Sequence, residues 1–192
     1  MPAGSKEGGT FMGLRTIADH VLDIYQNAVD AGASRIELSI FEESGKLFSF
    51  KVVDNGKGIN AERLSEVLDP FYTEKKKAKK FGLGLPLLKQ AAEATGGSFE
   101  LSSKPGLGTE VSASFVLSHI DCQPIGDLAQ TLVSAIQMSD GIEWVIHREK
   151  DKSGYELTRS DFAKTLGNDF AINAVKIKLV EEVIIGAEDA LR

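Results

Sequence analysis

Apolar positions between residues 13 and 31 recur at spacings of three and four: Leu14, Ile17, Val21, Ile24, Ala28 and Ala31. That repeat predicts an amphipathic helix ended by Gly32. The period then changes to two. SRIELSIFEE (34–43) and KLFSFKVVD (46–54), joined by Ser44-Gly45, predict a β-hairpin. NAERLSEVL (60–68) predicts a short helix capped by Asn60 and stopped at Asp69-Pro70. A lysine-rich loop covers 71–82, and an amphipathic helix follows over 82–97, carrying Leu85, Leu88, Ala91, Ala92 and Thr95 near one face. GSFELSS (97–103) and GTEVSASFVL (108–117) form a second strand pair around Lys104-Pro105-Gly106.

Helix, two strands, helix, loop, helix, two strands describes an α/β sandwich with one sheet covered on one face by helices. No Rossmann-type βαβ alternation is present, so the glycine loops are not dinucleotide fingerprints. A change of character near residue 118 predicts a small α+β extension over 118–192: a helix over 124–137, a hairpin from 141–149 and 154–158, and helices over 159–166 and 172–191. Residues 1–12 read as a flexible tail and 13–117 as the main domain.

Composition narrows the classes. The chain has 192 residues, 42% hydrophobic and 26% charged, which is ordinary for a globular protein. No apolar run reaches the length of a membrane span, and the N-terminus lacks the apolar stretch of a signal peptide. A single cysteine, Cys122, excludes an intrachain disulfide and a cysteine zinc cluster. These features point to a cytoplasmic protein without a membrane partner. A net charge of −6 argues against general nucleic-acid binding. Against that background, five of the six residues from Lys75 to Lys80 are lysines.

Four polar residues on the first helix, His20, Asp23, Asn27 and Asp30, fall on one face at roughly 100° per residue. They form either a solvated face or a site where the Asn27 carbonyl ligates magnesium and Asp23 orients a water or accepts a proton. In Asp54-Asn55-Gly56-Lys57-Gly58-Ile59 a carboxylate follows a strand. It is placed to accept from an exocyclic amine, with glycines that let a flat ring approach the backbone, or else the segment is a plain turn. Phe71, Tyr72, Thr73 and the lysines form a solvated loop or one that closes over anionic charge. Gly82-Leu83-Gly84-Leu85-Pro86 is either a tight turn or a helix start whose N–H groups face phosphate. Thr109 enters the site only if its hydroxyl points back at Asp54.

The order and spacing of D-IYQ-NAVDA, DNGKGI, PFYTEKK, FGLGLPL and GLGTEVS resembles the nucleotide-binding fold shared by DNA gyrase, heat-shock chaperones, histidine kinases and mismatch-repair ATPases, the Bergerat or GHKL family. The resemblance covers residues 13–117. It implies a two-layer α/β sandwich with a mixed sheet, and ATP and Mg2+ as cofactors. Asn27 would ligate the magnesium, with Asp30 nearby. Asp54 would bind the adenine amine beside Gly56, Gly58, Ile59 and Thr109. Phe71, Thr73 and Lys75 match the lid, and Gly82, Leu83, Gly84 and Leu85 the phosphate-proximal helix start. Asp23 stands four residues before Asn27, where the ATPases and anti-sigma-type serine kinases carry a glutamate base; aspartate is one methylene shorter.

Three functions are open at this level. The first is an ATP-dependent phosphotransferase or ATPase regulating a separate protein. The second is a nucleotide-gated interaction module with little or no catalysis, in which residues 118–192 read a partner or form a homodimer. The third, ranked last, is a mismatch-repair-like clamp, which lacks the long second domain. No dimerising helical hairpin with an acceptor histidine precedes the first helix. His119 and Pro124 have the acceptor spacing but not its glutamate, so His119 reads as a capping or buried residue. Trp144 reads as core, or if exposed as an anchor for a partner.

Overall fold

The computed structural model describes residues 14–68 and 83–191, apart from the side chain of Ser65. The N-terminal tail, Asp69-Pro70 and most of the predicted lid lie outside the described residues. Six helices and six strands follow in the order α1 Ile17–Asp30, β1 Arg35–Glu43, β2 Leu47–Asp54, α2 Ala61–Glu66, α3 Gly84–Ala94, β3 Phe99–Lys104, β4 Gly108–Val116, α4 Leu128–Met138, β5 Glu143–Lys150, β6 Ser153–Thr158, α5 Arg159–Leu166 and α6 Ala174–Asp189. Each corresponds to a predicted segment. The helix expected from 124 begins only at Leu128, because the Asp127 side chain caps it by accepting from the Gln130 amide at 2.9 Å.

The strands form one mixed sheet in the order β3-β4-β2-β1-β5-β6. All neighbours are antiparallel except β1 and β5, which run parallel with Ile36 opposite Trp144 and Leu38 opposite Ile146. Alternation places Ile36, Leu38 and Ile40 of β1 on the same buried face as Phe48, Phe50 and Val52 of β2. The helices cover this face. The C-terminal segment is continuous with it: β5 extends the sheet, α4 packs on α1, and α6 packs on α4. Trp144 is fully buried, stacked in tilted and edge contacts with Phe162 and Phe170 at centroid distances of 5.9 and 6.4 Å. It belongs to the core and is not an exposed anchor.

Residues 122–126 are laced to the start of α1. The Ile17 and Ala18 amides donate to the Pro124 and Ile125 carbonyls at 3.0 and 2.8 Å. This satisfies N–H groups that a helix start otherwise leaves open. His20 is drawn into the same seam and is 1% exposed. Its Nε2 meets Gln123 Oε1 at 3.1 Å and its ring lies 6.4 Å from Phe115. The predicted polar stripe on α1 is therefore corrected: His20 leaves it for the core, and only Asp23, Asn27 and Asp30 remain on the pocket side.

Candidate functional site

A cavity of about 380 Å³ opens between α1, the loop after β2, α2, the start of α3 and β4. Each wall has a local cause. From α1 come Asp23, Asn27 and Asp30, each one turn from the next. From the end of β2 comes Asp54, placed by the alternation of Phe48, Phe50 and Val52 on the same inward face. Gly58 and Ile59 form the floor of the following loop, and Gly84 and Leu85 begin α3. Thr109 stands directly across from Asp54 in the β2–β4 ladder.

Asp54 is buried, and one carboxylate oxygen accepts from the Gly56 amide at 2.7 Å. Burial pushes its carboxyl above the usual carboxylate range, while the Gly56 and Thr109 amides pull in the opposite direction. No cation answers the charge: among the described residues Asp54 has no ion pair. The carboxylate thus keeps acceptor capacity on the cavity side. Gly58 has a φ of 65°, and a Cβ there would lie 2.1 Å from the Lys104 carbonyl, so the loop closes against the β3–β4 turn only as glycine.

The start of α3 differs from every other helix start among the described residues. Thr16, Asn60, Asp127, Thr158 and Asn173 cap the other helices with side-chain oxygens. Leu83, at the N-cap of α3, supplies none. The first-turn amides of Gly84 and Leu85 therefore remain donors at the positive end of a helix that faces the cavity. The Asp23 carboxylate lies against this turn: a Cβ on Gly84 would sit 1.8 Å from one of its oxygens. Asp23 makes no hydrogen bond among the described residues, and burial pushes its carboxyl upward.

Of the residues singled out in the sequence, the structure brings Asp23, Asn27, Asp30, Asp54, Gly58, Ile59, Gly84, Leu85 and Thr109 to one cavity. Gly56 lies behind the wall, where its amide holds Asp54. Leu83 is exposed at the helix cap and does not line the cavity. Phe71, Thr73, Lys75 and Gly82 lie outside the described residues. The Thr109 hydroxyl does not turn to Asp54; it meets the Ser103 hydroxyl at 2.9 Å, and the Thr109 amide supports Asp54 instead.

Sequence reasoning missed Ser103, which also accepts from the Ile59 amide at 2.8 Å and so ties the pocket loop to β3. It missed the apolar wall of Ile24, Ala28, Val52 and Val111 as well. Each is adjacent to, or two residues along a strand from, a polar site residue, but their periodicity is that of core residues. Lys57 and Arg63 were also missed; they bring positive charge to the cavity's rim. No group of three acidic, histidine or cysteine side chains capable of holding a metal occurs among the described residues. A magnesium ion here would need oxygens from its ligand besides Asn27, the usual manner of binding this ion. His119 is exposed, and its Nδ1 accepts from the Asp121 amide at 3.2 Å, a turn-capping role.

Comparison with known proteins gives the same answer from another direction. Residues 9–119 match the family model described as histidine kinase-, DNA gyrase B- and HSP90-like ATPase. The chain is 34% identical over 90 residues to the sensor histidine kinase ZraS of Escherichia coli K12, covering 46% of this chain and 19% of that protein. It is 34% identical over 110 residues to sporulation kinase D of Bacillus subtilis, covering 52% and 20%. The match thus spans about a fifth of these relatives. The crystal structure of the N-terminal domain of a DNA repair protein superposes with a TM-score of 0.55 at 17% identity, over 80% of this chain and 57% of that one. No described helix is long and apolar enough to cross a membrane.

Proposed function

Because the chain belongs to the family of histidine kinase-, DNA gyrase B- and HSP90-like ATPases, we propose that its cavity binds MgATP and serves phosphotransfer to, or ATP hydrolysis in the regulation of, a separate protein. The observation that carries the reading is the pairing of two complementary vacancies in one cavity. One is a buried carboxylate, Asp54, without a cation among the described residues. The other is an uncapped helix start at Gly84 and Leu85. The first suits an amine donor on a base, and the second suits phosphate.

The residues fit the roles. Asp54 takes the exocyclic amine, and the wall of Ile24, Ala28, Val52 and Val111 takes the flat ring. The α3 amides take phosphate oxygen, with Lys57 and Arg63 supplying positive charge nearby. Asn27 offers its carbonyl to magnesium. The nucleotide supplies an activated phosphoryl group; positioning and charge neutralisation are what the protein adds. Asp23 orients water or accepts the proton of an acceptor hydroxyl. Its buried carboxyl, raised above the ordinary range, strengthens it as a base once ionised.

A magnesium-dependent ATP isotherm for the wild type and Asp54→Asn tests the binding. Saturable binding lost in the variant supports the reading, and no binding in either protein ends it. Asp23→Asn then separates catalysis from gating. Loss of turnover with ATP affinity retained is the expected result. The alternative of a nucleotide-gated module rests on the short reach of aspartate where relatives of the ATPase type carry glutamate. It would be preferred if the wild type binds ATP but neither hydrolyses nor transfers it.

A further inference from the structure

Helix α6 has two apolar faces. Val180 and Ile184 point inward and are fully buried. On a different side, Val175, Leu179 and Val183 recur every four residues, preceded by Ile172 in the approach to the helix. They are 72%, 44%, 50% and 68% exposed, respectively. At roughly 100° per residue the three helical members, Val175, Leu179 and Val183, fall within one quadrant of the helix, together with Gly186. The stripe continues into an apolar cavity of about 280 Å³ against α5, lined by Leu157, Phe162, Leu166, Leu179 and Val183 among others. Isolated exposed apolar residues are ordinary, but a contiguous stripe marks an interaction surface.

Two further features of α6 run against the rules for a helix that ends its life in water. Gly186 lies in the helix interior, yet a Cβ there would meet nothing within 4 Å, so no contact among the described residues requires a glycine. The charges also oppose the helix dipole. The first turn has no acid and the last turn no base, while Lys176 and Lys178 occupy the N-terminal half and Glu181 and Glu182 the middle and beyond. Lys178 and Glu182 lie on the same flank of the apolar stripe, and neither makes an ion pair among the described residues. Within one helix their order, lysine before glutamate, is the weaker one.

We propose that this face of α6 is the interface of a homodimer, packed antiparallel against α6 of a second copy of this chain. An antiparallel two-fold answers all three features together. It buries the stripe against itself, the self-complementary arrangement of a two-fold interface. It lays the basic half of each helix on the acidic half of the other, bringing Lys178 to Glu182 twice over, and it opposes the two dipoles. It also sets Gly186 against the Ile172–Val175 end of the second copy, where a missing Cβ lets the backbones approach. A parallel pairing would stack like charges, and an unrelated partner would leave the self-complementary charge order without a cause.

Sedimentation velocity of the full chain without nucleotide, over roughly a hundredfold range of concentration, tests the proposal. The weight-average mass should climb from that of the 20.7 kDa chain towards twice that value. Leu179→Glu should hold it at the monomer with the thermal melt preserved. Lys178→Glu and Glu182→Lys should each weaken association by about tenfold or more, and the double charge swap should recover it. The swap keeps the test valid if Leu179→Glu fails to fold. A wild type that stays monomeric throughout, a dimer indifferent to Leu179→Glu, or a double swap no better than its parents would each overturn the interface. ATP binding is independent of all these outcomes and is lost only if the pocket reading fails.

Discussion

Two buried carboxylates lie on the same face of adjacent strands, and their surroundings are opposite. Glu42 in β1 and Asp54 in β2 stand at the two ends of one hairpin, about 20 Å apart by strand rise. Glu42 is answered in full. Arg148 donates to it through Nη2, and Lys150 Nζ lies 3.4 Å from its other oxygen. Arg148 also reaches Glu188 Oε1 at 3.2 Å, which accepts from the Tyr155 hydroxyl at 2.6 Å, and donates to the Glu149 carbonyl at 3.0 Å. Among the described residues Asp54 has amides alone and a cavity in front of it. A buried charge enclosed by its own cations fastens α6 and β6 to the sheet. A buried charge without one, open to a cavity, is a place for a ligand's donor. The same residue chemistry divides into structure and site according to whether the chain supplies the partner.

Breaking the closed cluster should have the largest effect. Arg148→Met leaves Glu188 without its cation and Glu42 with Lys150 alone, and is expected to cost about 3–5 kcal/mol of stability in a denaturant titration. MgATP affinity of the folded fraction should stay as in the wild type. Asp54→Ala should do the reverse. Its thermal midpoint should hold or rise, since an uncompensated charge leaves the interior, while ATP affinity falls by about a hundredfold, or ~2.7 kcal/mol. Equal losses of stability in both variants would erase the distinction between the two carboxylates.

A smaller effect sharpens the open end. Gly84→Ala forces a methyl group into the Asp23 carboxylate and crowds the α3 amides. ATP affinity should fall by about tenfold. The same substitution at Gly186, where nothing is near, should leave affinity unchanged.

The smallest effect is a pH dependence. Burial holds the His20 imidazole below its ordinary pKa of 6.5, against the pull of Gln123 and Asp19. The unfolded chain therefore takes up the proton first as pH falls. Stability is whole above about pH 6.5 and declines below it, by at most about 1.4 kcal/mol per pH unit, until the folded protein also protonates. His20→Gln should flatten that slope in chemical denaturation curves recorded across mildly acidic pH. An unchanged slope would place the titration elsewhere.

Elements were legible in the sequence because period and punctuation are local. Ile36, Leu38 and Ile40 alternate, and Asn60 announces the start of α2, which it caps by accepting from the Arg63 amide at 3.1 Å. Asp23, Asn27, Asp30, Asp54 and Thr109 were legible as candidates for the same reason, through boxes such as DNGKGI, whereas Ser103, Lys57 and Arg63 were not. The apolar wall was not, because Val52 and Val111 have the periodicity of core residues and only the fold shows that a cavity faces them. His20 escaped because its burial depends on Gln123, 103 residues away in sequence. The parallel pairing of β5 with β1 escaped for the same reason: nothing in either strand's own pattern names its neighbour.

That pairing decides what happens to a fragment. Cutting the chain after residue 117 would remove β5 and uncover the long edge of β1 from Arg35 to Glu42, a row of unpaired amides and carbonyls beside Ile36, Leu38 and Ile40. Strands bared in this way recruit other strands. The nucleotide-binding half should therefore precipitate or form ladders when expressed by itself, and the last 75 residues act, whatever else they do, as a resident guard against aggregation.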